Sequence, residues 1–317
     1  MKKIAILDDF QGVALEMGDW NSLERDFAIT VFRDNIPMGR TLIERLRPFD
    51  MIVAMRERTP FDRDLLTALT NLRLLVTTGM WNRSIDMAAA TELGKLVCGT
   101  ATSVHAPVEL TWALILALAR RLVDEDAAMR SGRWQTGVGC ELYGKTLGIL
   151  GLGRLGEAVA NIGRAFGMHI IAWSANLTRK KCVAAGVQLA DKTEFFRSAD
   201  FVSVHVVLSD RTRGLVSAKE LALMKPTAFL VNTSRGPIVD ETALIEALEN
   251  GRIAGAAIDV YDREPPPADH PLRRAPRSLL TPHIGITTDQ NYRLYYSQAV
   301  EDIRAFEAGH PVRVLNR

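Results

Sequence analysis

Short apolar runs alternate with helical stretches along the first hundred residues. Four runs bounded by polar segments, as buried strands usually are, occupy Ile4–Leu7, Met51–Ala54, Leu74–Thr77 and Leu96–Cys98. Between them, apolar residues recur at helical spacing in Leu42–Leu46, Arg63–Leu69 and Asp86–Leu93. This βα alternation predicts a parallel sheet covered by helices.

A long helical pattern follows, from Val104 to about Met129. Pro107 falls in its first turn, where a missing N–H costs no helical hydrogen bond. Between Val108 and Ala119 the pattern is apolar nearly all the way round. Such a helix has to be covered on most sides, by a domain interface or by a second subunit.

A second βα series begins after a glycine-rich loop from Gly132 to Gly144. Its predicted strands are Thr146–Leu150, Ile170–Trp173, Phe201–Val204, Ala228–Asn232, Gly255–Val260 and Leu279–Thr281. The second half is therefore predicted to form another doubly wound α/β sheet. A last helix is expected from about Asp289 to Ala308, because Gly309 and Pro311 follow it.

Composition and charge narrow the class of protein. A chain of 317 residues fits two domains, and its 47% hydrophobic and 24% charged residues are typical of a folded protein. Lys and Arg (39) nearly balance Asp and Glu (37), which disfavours nucleic-acid binding. The N-terminal apolar stretch is too short for a signal peptide, and no apolar segment approaches the roughly 20 residues of a membrane span. We therefore expect a cytoplasmic protein without membrane contact.

The three cysteines, Cys98, Cys140 and Cys182, are single and widely spaced. That spacing fits neither a disulfide framework nor a pair of metal ligands. We expect three buried, small hydrophobic residues and no metal site.

A glycine motif gives the sharpest local signal. Gly151-Leu-Gly153-Arg-Leu-Gly156 directly follows the predicted strand Thr146–Leu150 and opens a helix. In a dinucleotide site the first glycine allows the tight turn, the second lets the backbone approach the pyrophosphate, and the third permits close helix–strand packing. The segment, with Arg154 and Leu155 at the start of the helix, is predicted to hold the cofactor phosphates. A glycine-rich turn without a ligand is the alternative.

The end of the next strand bears on which cofactor is bound. An Asp or Glu about 20 residues after the glycines usually bonds the ribose 2′-hydroxyl of NAD. Here Ser174 stands at that point, with Asn176 and Arg179 in the next turn, ahead of two lysines. The pattern favours NADP over NAD, unless the basic residues form only a solvated helix face.

Three polar residues each follow a predicted strand, at the edge of a parallel sheet where ligands bind. They are Arg235, Glu264 and His283. Reduction of a 2-oxo acid needs a fork for the carboxylate, a proton donor for the developing alkoxide, and a partner that keeps the donor protonated. Arg, His and Glu supply these functions, although each alone is more often a salt-bridge or packing residue.

With these residues in place, the chain resembles the D-isomer-specific 2-hydroxyacid dehydrogenases over essentially its whole length. The segments that carry the resemblance are Gly148-Ile-Leu-Gly-Leu-Gly-Arg-Leu-Gly156, Thr212-Arg-Gly-Leu215, Met224-Lys-Pro226, Val231-Asn-Thr-Ser-Arg-Gly-Pro-Ile-Val-Asp240, Ala256-Ala-Ile-Asp-Val-Tyr-Asp-Arg-Glu-Pro265 and Thr281-Pro-His-Ile-Gly285. That family includes glyoxylate/hydroxypyruvate reductases and D-3-phosphoglycerate dehydrogenases. The resemblance implies an oxidoreductase that transfers a hydride between a nicotinamide cofactor, NAD(P)H, and a small D-2-hydroxy acid or 2-oxo acid.

The resemblance also implies roles for single residues. Arg235 would hold the substrate carboxylate, His283 would exchange a proton with the 2-oxo group, and Glu264 would stabilise the imidazolium. The residues implied to contact the cofactor beyond the glycine loop are Val206, Thr233, Ser234, Asp259, His283 and Gly285. Those implied to contact the substrate are Arg56, Thr78, Gly79, Met80, Trp81 and Arg235.

The family architecture is a Rossmann cofactor domain inserted into a flavodoxin-like substrate domain. The resemblance thus implies a substrate domain of residues 1–98 and 288–317 and a cofactor domain of residues 99–287. The long helix after Val104 would lie in a homodimer interface of the cofactor domain, which agrees with its apolar pattern. The chain stops soon after the last helix, which implies no regulatory domain of the kind found in many relatives of the serine pathway.

Two loops depart from the family pattern. The usual His-x-Pro is replaced by His205-Val-Val-Leu208, and the substrate-domain loop is Thr77-Thr-Gly-Met-Trp-Asn-Arg-Ser-Ile-Asp86. Met80 and Trp81 would narrow the substrate pocket, or belong to the core. Arg56 and Arg58 would favour a second anionic group on the substrate, or form a surface ion pair with Glu57.

Two other functions compete with a 2-hydroxyacid dehydrogenase. A cofactor-sensing binding protein, similar to corepressors on this fold, would retain the same Arg-Glu-His set, and motifs alone do not separate it from an enzyme. Oxidation of formate or phosphite on the same scaffold is disfavoured by Glu264, because formate enzymes normally carry Gln there.

Overall fold

The computed structural model describes residues 1–316. The chain divides into two compact units, one formed by Met1–Ser103 together with the chain from Thr287 onward, the other by Val104–Ile286. The sequence placed the boundaries after residues 98 and 287. The first boundary therefore lies a few residues later in the structure, and Thr287 groups with the first unit.

The first unit contains a flavodoxin-like sheet. Its elements before Ser103 are β1 (Lys2–Ile6), β2 (Phe27–Val31), α1 (Arg40–Leu46), β3 (Met51–Ala54), α2 (Arg63–Ala68), β4 (Leu74–Thr77), α3 (Met87–Glu92) and β5 (Leu96–Gly99). The five strands are parallel, in the order β2-β1-β3-β4-β5. Strands β3 and β4 are buried along their whole length, which explains their nearly continuous apolar sequence.

The second unit contains a larger parallel sheet. Its elements are α4 (His105–Arg120), α5 (Leu122–Arg130), β6 (Thr146–Leu150), α6 (Arg154–Ala165), β7 (His169–Trp173), α7 (Arg179–Ala184), β8 (Gln188–Leu189), α8 (Lys192–Ser198), β9 (Phe201–Val204), α9 (Ala218–Leu223), β10 (Phe229–Asn232), α10 (Glu241–Glu249), β11 (Gly255–Ile258) and β12 (Ser278–Leu280). The seven strands have the order β12-β11-β10-β9-β6-β7-β8. The chain reverses its direction of winding between β6 and β9, and a ligand is expected in the crevice at the carboxyl ends of strands at such a point.

The last helix, α11 (Asp289–Glu307), belongs to the first unit. It buries the rings of Tyr292, Tyr295 and Tyr296. Asp302 on the same helix is fully buried, and its Oδ1 accepts a hydrogen bond from Arg313 Nε at 3.0 Å. Among the described residues its Oδ2 has no hydrogen-bond partner. The first unit therefore contains a buried acid that is only half satisfied.

The observed secondary structure differs from the predicted elements at two strands and one helix. Strands β2 and β8 were not predicted, because β2 alternates buried and exposed positions and β8 has only two residues. The helical pattern from Val104 to Met129 was predicted as one helix, but it breaks at Arg121, whose φ of 52° is left-handed. Helix α4 packs against α6, β10 and β11, so its own unit covers much of its apolar surface.

The cysteines differ in their environment. Cys98 and Cys182 are buried, as expected, whereas Cys140 is only half-buried. Burial raises the pKa of the Cys98 thiol to about 12. Within residues 1–316 no group of three or more His, Cys, Asp and Glu side chains is placed to hold a metal ion. No helix in that described part is long and apolar enough to span a bilayer.

Candidate active site

The glycine turn after β6 is shaped by close packing on two sides and open space on the third. A Cβ on Gly151, which has a φ of 103°, would lie 2.7 Å from Val206 Cγ1, and a Cβ on Gly156 would lie 2.2 Å from the Gly151 oxygen. A Cβ on Gly153 would meet nothing within 4 Å. Helix α6 begins directly after Gly153. The turn therefore leaves room for an anionic group beside exposed N–H groups at the start of a helix of 12 residues.

A groove of about 470 Å³ lies beside this turn, at the carboxyl ends of β6, β7 and β9. The residues that line it are Gly151, Leu152, Gly153, Trp173, Ser174, Ala175, Asn176, Leu177, Lys181, His205, Val206, Val207, Ser209, Arg211, Thr212 and Leu215. Among the predicted cofactor residues, Gly151, Gly153, Ser174, Asn176 and Val206 thus lie together. Arg154, Leu155, Gly156 and Arg179, although they are within the described chain, are outside this lining.

The loop after β9 is tied to the loop after β10. Ser234 Oγ donates a hydrogen bond to the Val206 carbonyl at 2.6 Å, and the hydroxyls of Thr233 and Thr111 are 2.8 Å apart. His205 Nε2 lies 2.8 Å from Ser203 Oγ, and burial lowers the pKa of His205 to about 4. A neutral imidazole therefore takes part in fixing this loop without the family proline.

His283 and Glu264 form a close polar pair at this edge of the sheet. His283 Nδ1 lies 2.5 Å from Glu264 Oε2, and the two side chains are 30% and 34% exposed. Glu264 Oε1 accepts a hydrogen bond from the Tyr261 backbone N–H at 2.9 Å. Since a carboxylate accepts, Nδ1 carries the proton of the neutral ring, and Nε2 is the nitrogen left for proton exchange.

Asp259 organises the loop that carries His283. It is buried, and its Oδ1 accepts from Thr281 Oγ1 at 2.6 Å and from the Ile284 N–H at 2.8 Å. Its Oδ2 accepts from the Gly285 N–H at 3.0 Å. Burial raises the pKa of Asp259, and these hydrogen bonds oppose that rise. They hold a loop in which His283 adopts a left-handed φ of 51°, a region that side chains rarely occupy.

Tyr261 links the three loops that carry Arg235, Glu264 and His283. Gly236, next to Arg235, packs against the Tyr261 backbone so closely that a Cβ would lie 2.1 Å from the Tyr261 carbonyl carbon. The Tyr261 N–H binds Glu264, and the Tyr261 hydroxyl donates to the Thr281 carbonyl at 2.8 Å. The structure thus brings the loops of all three predicted catalytic residues together. Arg235 Nη1 itself donates to the Ser234 carbonyl at 2.7 Å.

The residues proposed for the substrate loop lie at the carboxyl ends of β3 and β4 in the first unit. Thr78 is fully buried, and its Oγ1 accepts from the Arg56 N–H at 2.9 Å. The Arg56 guanidinium lies over Gly79, where an added Cβ would be 2.2 Å from Nη1. Arg56 Nε also lies 3.5 Å from Glu57 Oε2. Met80 and Trp81 are 49% and 52% exposed, so neither belongs to the core.

Sequence reasoning missed several residues that shape the site. Tyr261 lies within the motif Ala256–Pro265, but its contacts with the loops of Arg235, Glu264 and His283 follow only from the fold. Asn82 is buried and its amide donates to the Arg56 carbonyl at 2.7 Å and to Thr77 Oγ1 at 2.8 Å. Arg211 stands 37 positions after Ser174 in the sequence, and nothing in the local pattern indicates that both line one groove.

Comparison with known proteins identifies the family. Residues 112–285 match the family model described as "D-isomer specific 2-hydroxyacid dehydrogenase, NAD binding domain". Glyoxylate reductase of Aeropyrum pernix is 40% identical over 292 residues, which are 89% of this chain and 87% of that protein. D-3-phosphoglycerate dehydrogenase of Methanocaldococcus jannaschii is 37% identical over 83% of this chain, but the match spans only 51% of that protein.

A solved structure agrees in fold along the chain. A phosphoglycerate oxidoreductase from Vibrio cholerae superposes with a TM-score of 0.92 at 40% identity, covering 98% of this chain and 100% of that one. The strand orders, the glycine turn and the sequence matches point to one conclusion. The chain belongs to the family of D-isomer-specific 2-hydroxyacid dehydrogenases, oxidoreductases with a nicotinamide cofactor.

Proposed function

We propose that this enzyme reduces a small 2-oxo acid to the D-2-hydroxy acid, with His283 as proton donor and Arg235 as the clamp for the substrate carboxylate. The observation that carries the proposal is the contact of 2.5 Å between His283 Nδ1 and Glu264 Oε2. A carboxylate at that distance accepts the Nδ1–H and lies beside the positive charge of the ring form that donates a proton during reduction.

The proton chemistry follows from this pair. A reduced nicotinamide, when bound, supplies the hydride that the substrate C2 accepts. As charge develops on the 2-oxo oxygen, His283 Nε2 donates its proton to that oxygen, and Glu264 offsets the charge of the ring before donation. In the reverse direction neutral His283 accepts the hydroxyl proton through the same nitrogen.

Arg235 is proposed to orient the substrate. A guanidinium binds a carboxylate through two parallel N–H···O bonds, which fixes the face of the carbonyl that receives the hydride. The contact between Gly236 and the Tyr261 backbone supports this role, because it holds the arginine loop against the loop of Glu264.

The cofactor is proposed to be NADP(H). The glycine turn fits a pyrophosphate, since the open space at Gly153 lies beside the first turn of α6. Ser174 lacks the carboxylate that would repel a 2′-phosphate. Thr233 and Ser234 are proposed to run along the cofactor, whereas both oxygens of Asp259 are engaged in the loop of His283 and Gly285. We therefore propose that Asp259 acts by holding that loop.

Substrate selection is proposed to involve Arg56, Met80 and Trp81. The exposure of the Met80 and Trp81 side chains supports contact with a ligand rather than a packing role. Thr78 and Gly79 would set the course of the loop, because Arg56 lies against both.

A homodimer formed by the second unit is also proposed. Exposed apolar side chains continue from α5 into the loop that follows it, where Val123, Met129, Trp134 and Val138 are 56%, 61%, 74% and 95% exposed. Val123 and Val138 line a second groove of about 660 Å³ at the amino ends of the strands. A second copy would cover this surface. Light scattering should give twice the monomer mass, and Trp134→Asp with Val138→Asp should give the monomer.

The experiment that tests the proposed reaction is an initial-rate assay. NADPH or NADH oxidation would be followed with glyoxylate, hydroxypyruvate, phenylpyruvate and oxaloacetate. Turnover of at least one acid is expected. Tight cofactor binding without turnover of any acid would contradict the proposal and favour a cofactor-sensing binding protein.

A further inference from the structure

The groove beside the glycine turn is lined by positive charges only. Of its 16 lining residues, only Lys181 and Arg211 are charged, and both are positive; His205 is neutral because burial lowers its pKa to about 4. Among these described residues there is no Asp or Glu. Neither cation forms an ion pair with a carboxylate within residues 1–316. The groove is therefore suited to bind an anion, because no acidic side chain in its lining offsets the two positive charges.

The two cations come from separate elements. Lys181 is on α7, which follows β7, and Arg211 is on the loop between β9 and α9. Ser174, directly after β7, lines the same groove. In a dinucleotide fold the adenosine ribose binds after the second strand, so Ser174 would border its 2′-position.

We infer that Lys181 and Arg211 together bind the 2′-phosphate of the dinucleotide and thereby select NADPH over NADH. The inference rests on the proposed nicotinamide-dependent reaction and names the residues that set its cofactor. A 2′-phosphate has close to two negative charges at neutral pH. A guanidinium offers it a fork of donors and an ammonium offers it a compact charge. Ser174 adds no opposing charge.

This assignment differs from the one that the sequence suggested. The pattern of residues pointed to the basic run Arg179-Lys-Lys181 in the turn after Ser174, and of these Lys181 lines the groove whereas Arg179 is outside the lining. Arg211 is the larger difference, since it comes from another loop. The fold therefore replaces a local basic run by two cations brought together from different segments.

Neighbouring residues provide matched controls. Lys180 precedes Lys181, and Arg213 follows Arg211 by two positions; both are within the described chain but outside the lining. Lys180→Ala and Arg213→Ala remove the same charges as Lys181→Ala and Arg211→Ala. They separate a local contact with the phosphate from a general change in the net charge of the protein.

The test is a binding titration with the full chain in the absence of any 2-oxo acid. Nicotinamide fluorescence would give the dissociation constants of NADPH and NADH. We expect each of Lys181→Ala and Arg211→Ala to raise the NADPH constant about 10-fold, as for loss of a charge-assisted hydrogen bond, and to change the NADH constant less than about 2-fold. Ser174→Asp should weaken NADPH and strengthen NADH. The two control variants should match the parent protein.

Three outcomes would overturn the inference: equal affinity of the parent protein for both cofactors, equal weakening of both in the variants, or unchanged NADPH binding in the variants. Turnover of a 2-oxo acid with NADH would in each case leave the proposed reaction standing. Failure of the parent protein to bind either cofactor would overturn both.

Discussion

The carboxyl edges of the two parallel sheets use polar side chains in different ways. In the second unit, His283 and Glu264 are about one-third exposed, while buried groups behind them hold their loops. In the first unit, Asp8, Thr78 and Asn82 are buried and their hydrogen bonds go to neighbouring loops. The exposed side chains there include the large apolar Met80 and Trp81.

This difference in burial suggests different roles for the polar side chains of the two edges: reaction with a ligand in the second unit, and maintenance of loop conformation in the first. The proposed reactive groups of the second unit, His283 and Glu264, have to reach a ligand. They are partly exposed, and buried hydrogen-bonding groups hold their loops. The first unit uses its polar groups to fix loop conformation, since a buried amide or carboxyl is costly unless it is hydrogen-bonded. Substitutions in the second unit should therefore change rates, and those of buried polar groups in the first should change the free energy of unfolding.

The largest effect is expected for His283→Ala. Loss of the proton donor should lower kcat by about 10²–10⁴-fold, a range typical of general acid–base catalysis, with cofactor affinity retained. Steady-state kinetics and a cofactor titration check this. His310→Ala, at an exposed position, is the control. An unchanged kcat in His283→Ala would remove His283 from the chemistry.

Arg235→Ala tests the substrate clamp at the same edge. Because a bidentate, charge-assisted contact would be lost, kcat/KM for the 2-oxo acid should fall by about 10²-fold, with a marked rise in KM. Arg197→Ala, exposed on α8, should behave like the parent protein. A kcat/KM equal to that of the parent would show that the carboxylate is held elsewhere.

Asp302→Asn tests a buried acid of the first unit. Burial raises the pKa of Asp302 to about 7, and the Arg313 charge opposes this; Glu301 and the Cys98 thiol are the other titratable groups near it. The folded state therefore holds the proton more tightly than the unfolded chain. The stabilising contribution is complete below about pH 4 and is lost as the pH rises to about 7, at up to about 1.4 kcal/mol per pH unit.

Denaturant unfolding between pH 4 and 8 measures this contribution. The parent protein should lose stability over that window relative to Asp302→Asn, while kcat in the two proteins stays equal at neutral pH. Parallel pH profiles of stability would mean that Asp302 does not titrate as its burial indicates.

Asn82→Ala removes hydrogen bonds that tie the substrate loop to β3 and β4. The buried Thr77 Oγ1 and the part-buried Arg56 carbonyl would lose a donor, and the Ser84 N–H would lose its acceptor. The free energy of unfolding should fall by about 1–3 kcal/mol. Asn71→Ala, which removes one exposed bond to the Arg47 carbonyl, should cost well under about 1 kcal/mol. An equal loss of unfolding free energy in the two variants would contradict the view that the buried polar groups of the first unit stabilise its loops.

The smallest effect is expected for Tyr261→Phe. The change removes the hydroxyl contacts to the Thr281 carbonyl at 2.8 Å and the Ile258 carbonyl at 3.3 Å, together worth about 1 kcal/mol, so KM should stay constant while kcat falls a few-fold. The pH profile of kcat should also shift, because Tyr261 positions both partners of the His283–Glu264 pair. Tyr143→Phe, at an exposed ring, is the control. An unshifted pH profile would reduce Tyr261 to a packing residue.

The sequence predicted secondary structure well where a strand is buried along its whole length. It predicted less at the edge strands of the sheets and for contacts between loops. Strands such as β3, β4 and β9 were predicted at their observed bounds, since their apolar runs are buried throughout. The edge strand β2 has every second residue more exposed, so its signal was weak. The break at Arg121 has no glycine or proline to mark it, because a left-handed arginine provides the turn.

The candidate site shows the same limit. Arg235, Glu264 and His283 could be proposed from the sequence because each follows a strand within a recognisable motif, and the structure brings their loops together. The pairing of His283 with Glu264 was expected, but the part that Tyr261 plays depends on contacts between three loops. The sequence pointed to the basic run from Arg179 to Lys181, of which Lys181 lines the groove. It could not indicate Arg211, because only the fold brings that residue to the same surface as Lys181.

The most direct test of the central claim follows the hydride itself. A reduced cofactor that carries deuterium at the nicotinamide C4, on the transferred face, would be incubated with the best 2-oxo acid, and the product analysed by chiral chromatography and mass spectrometry. We predict a D-2-hydroxy acid with one deuterium at C2. An L-product, or a product without deuterium at C2, would contradict the assignment.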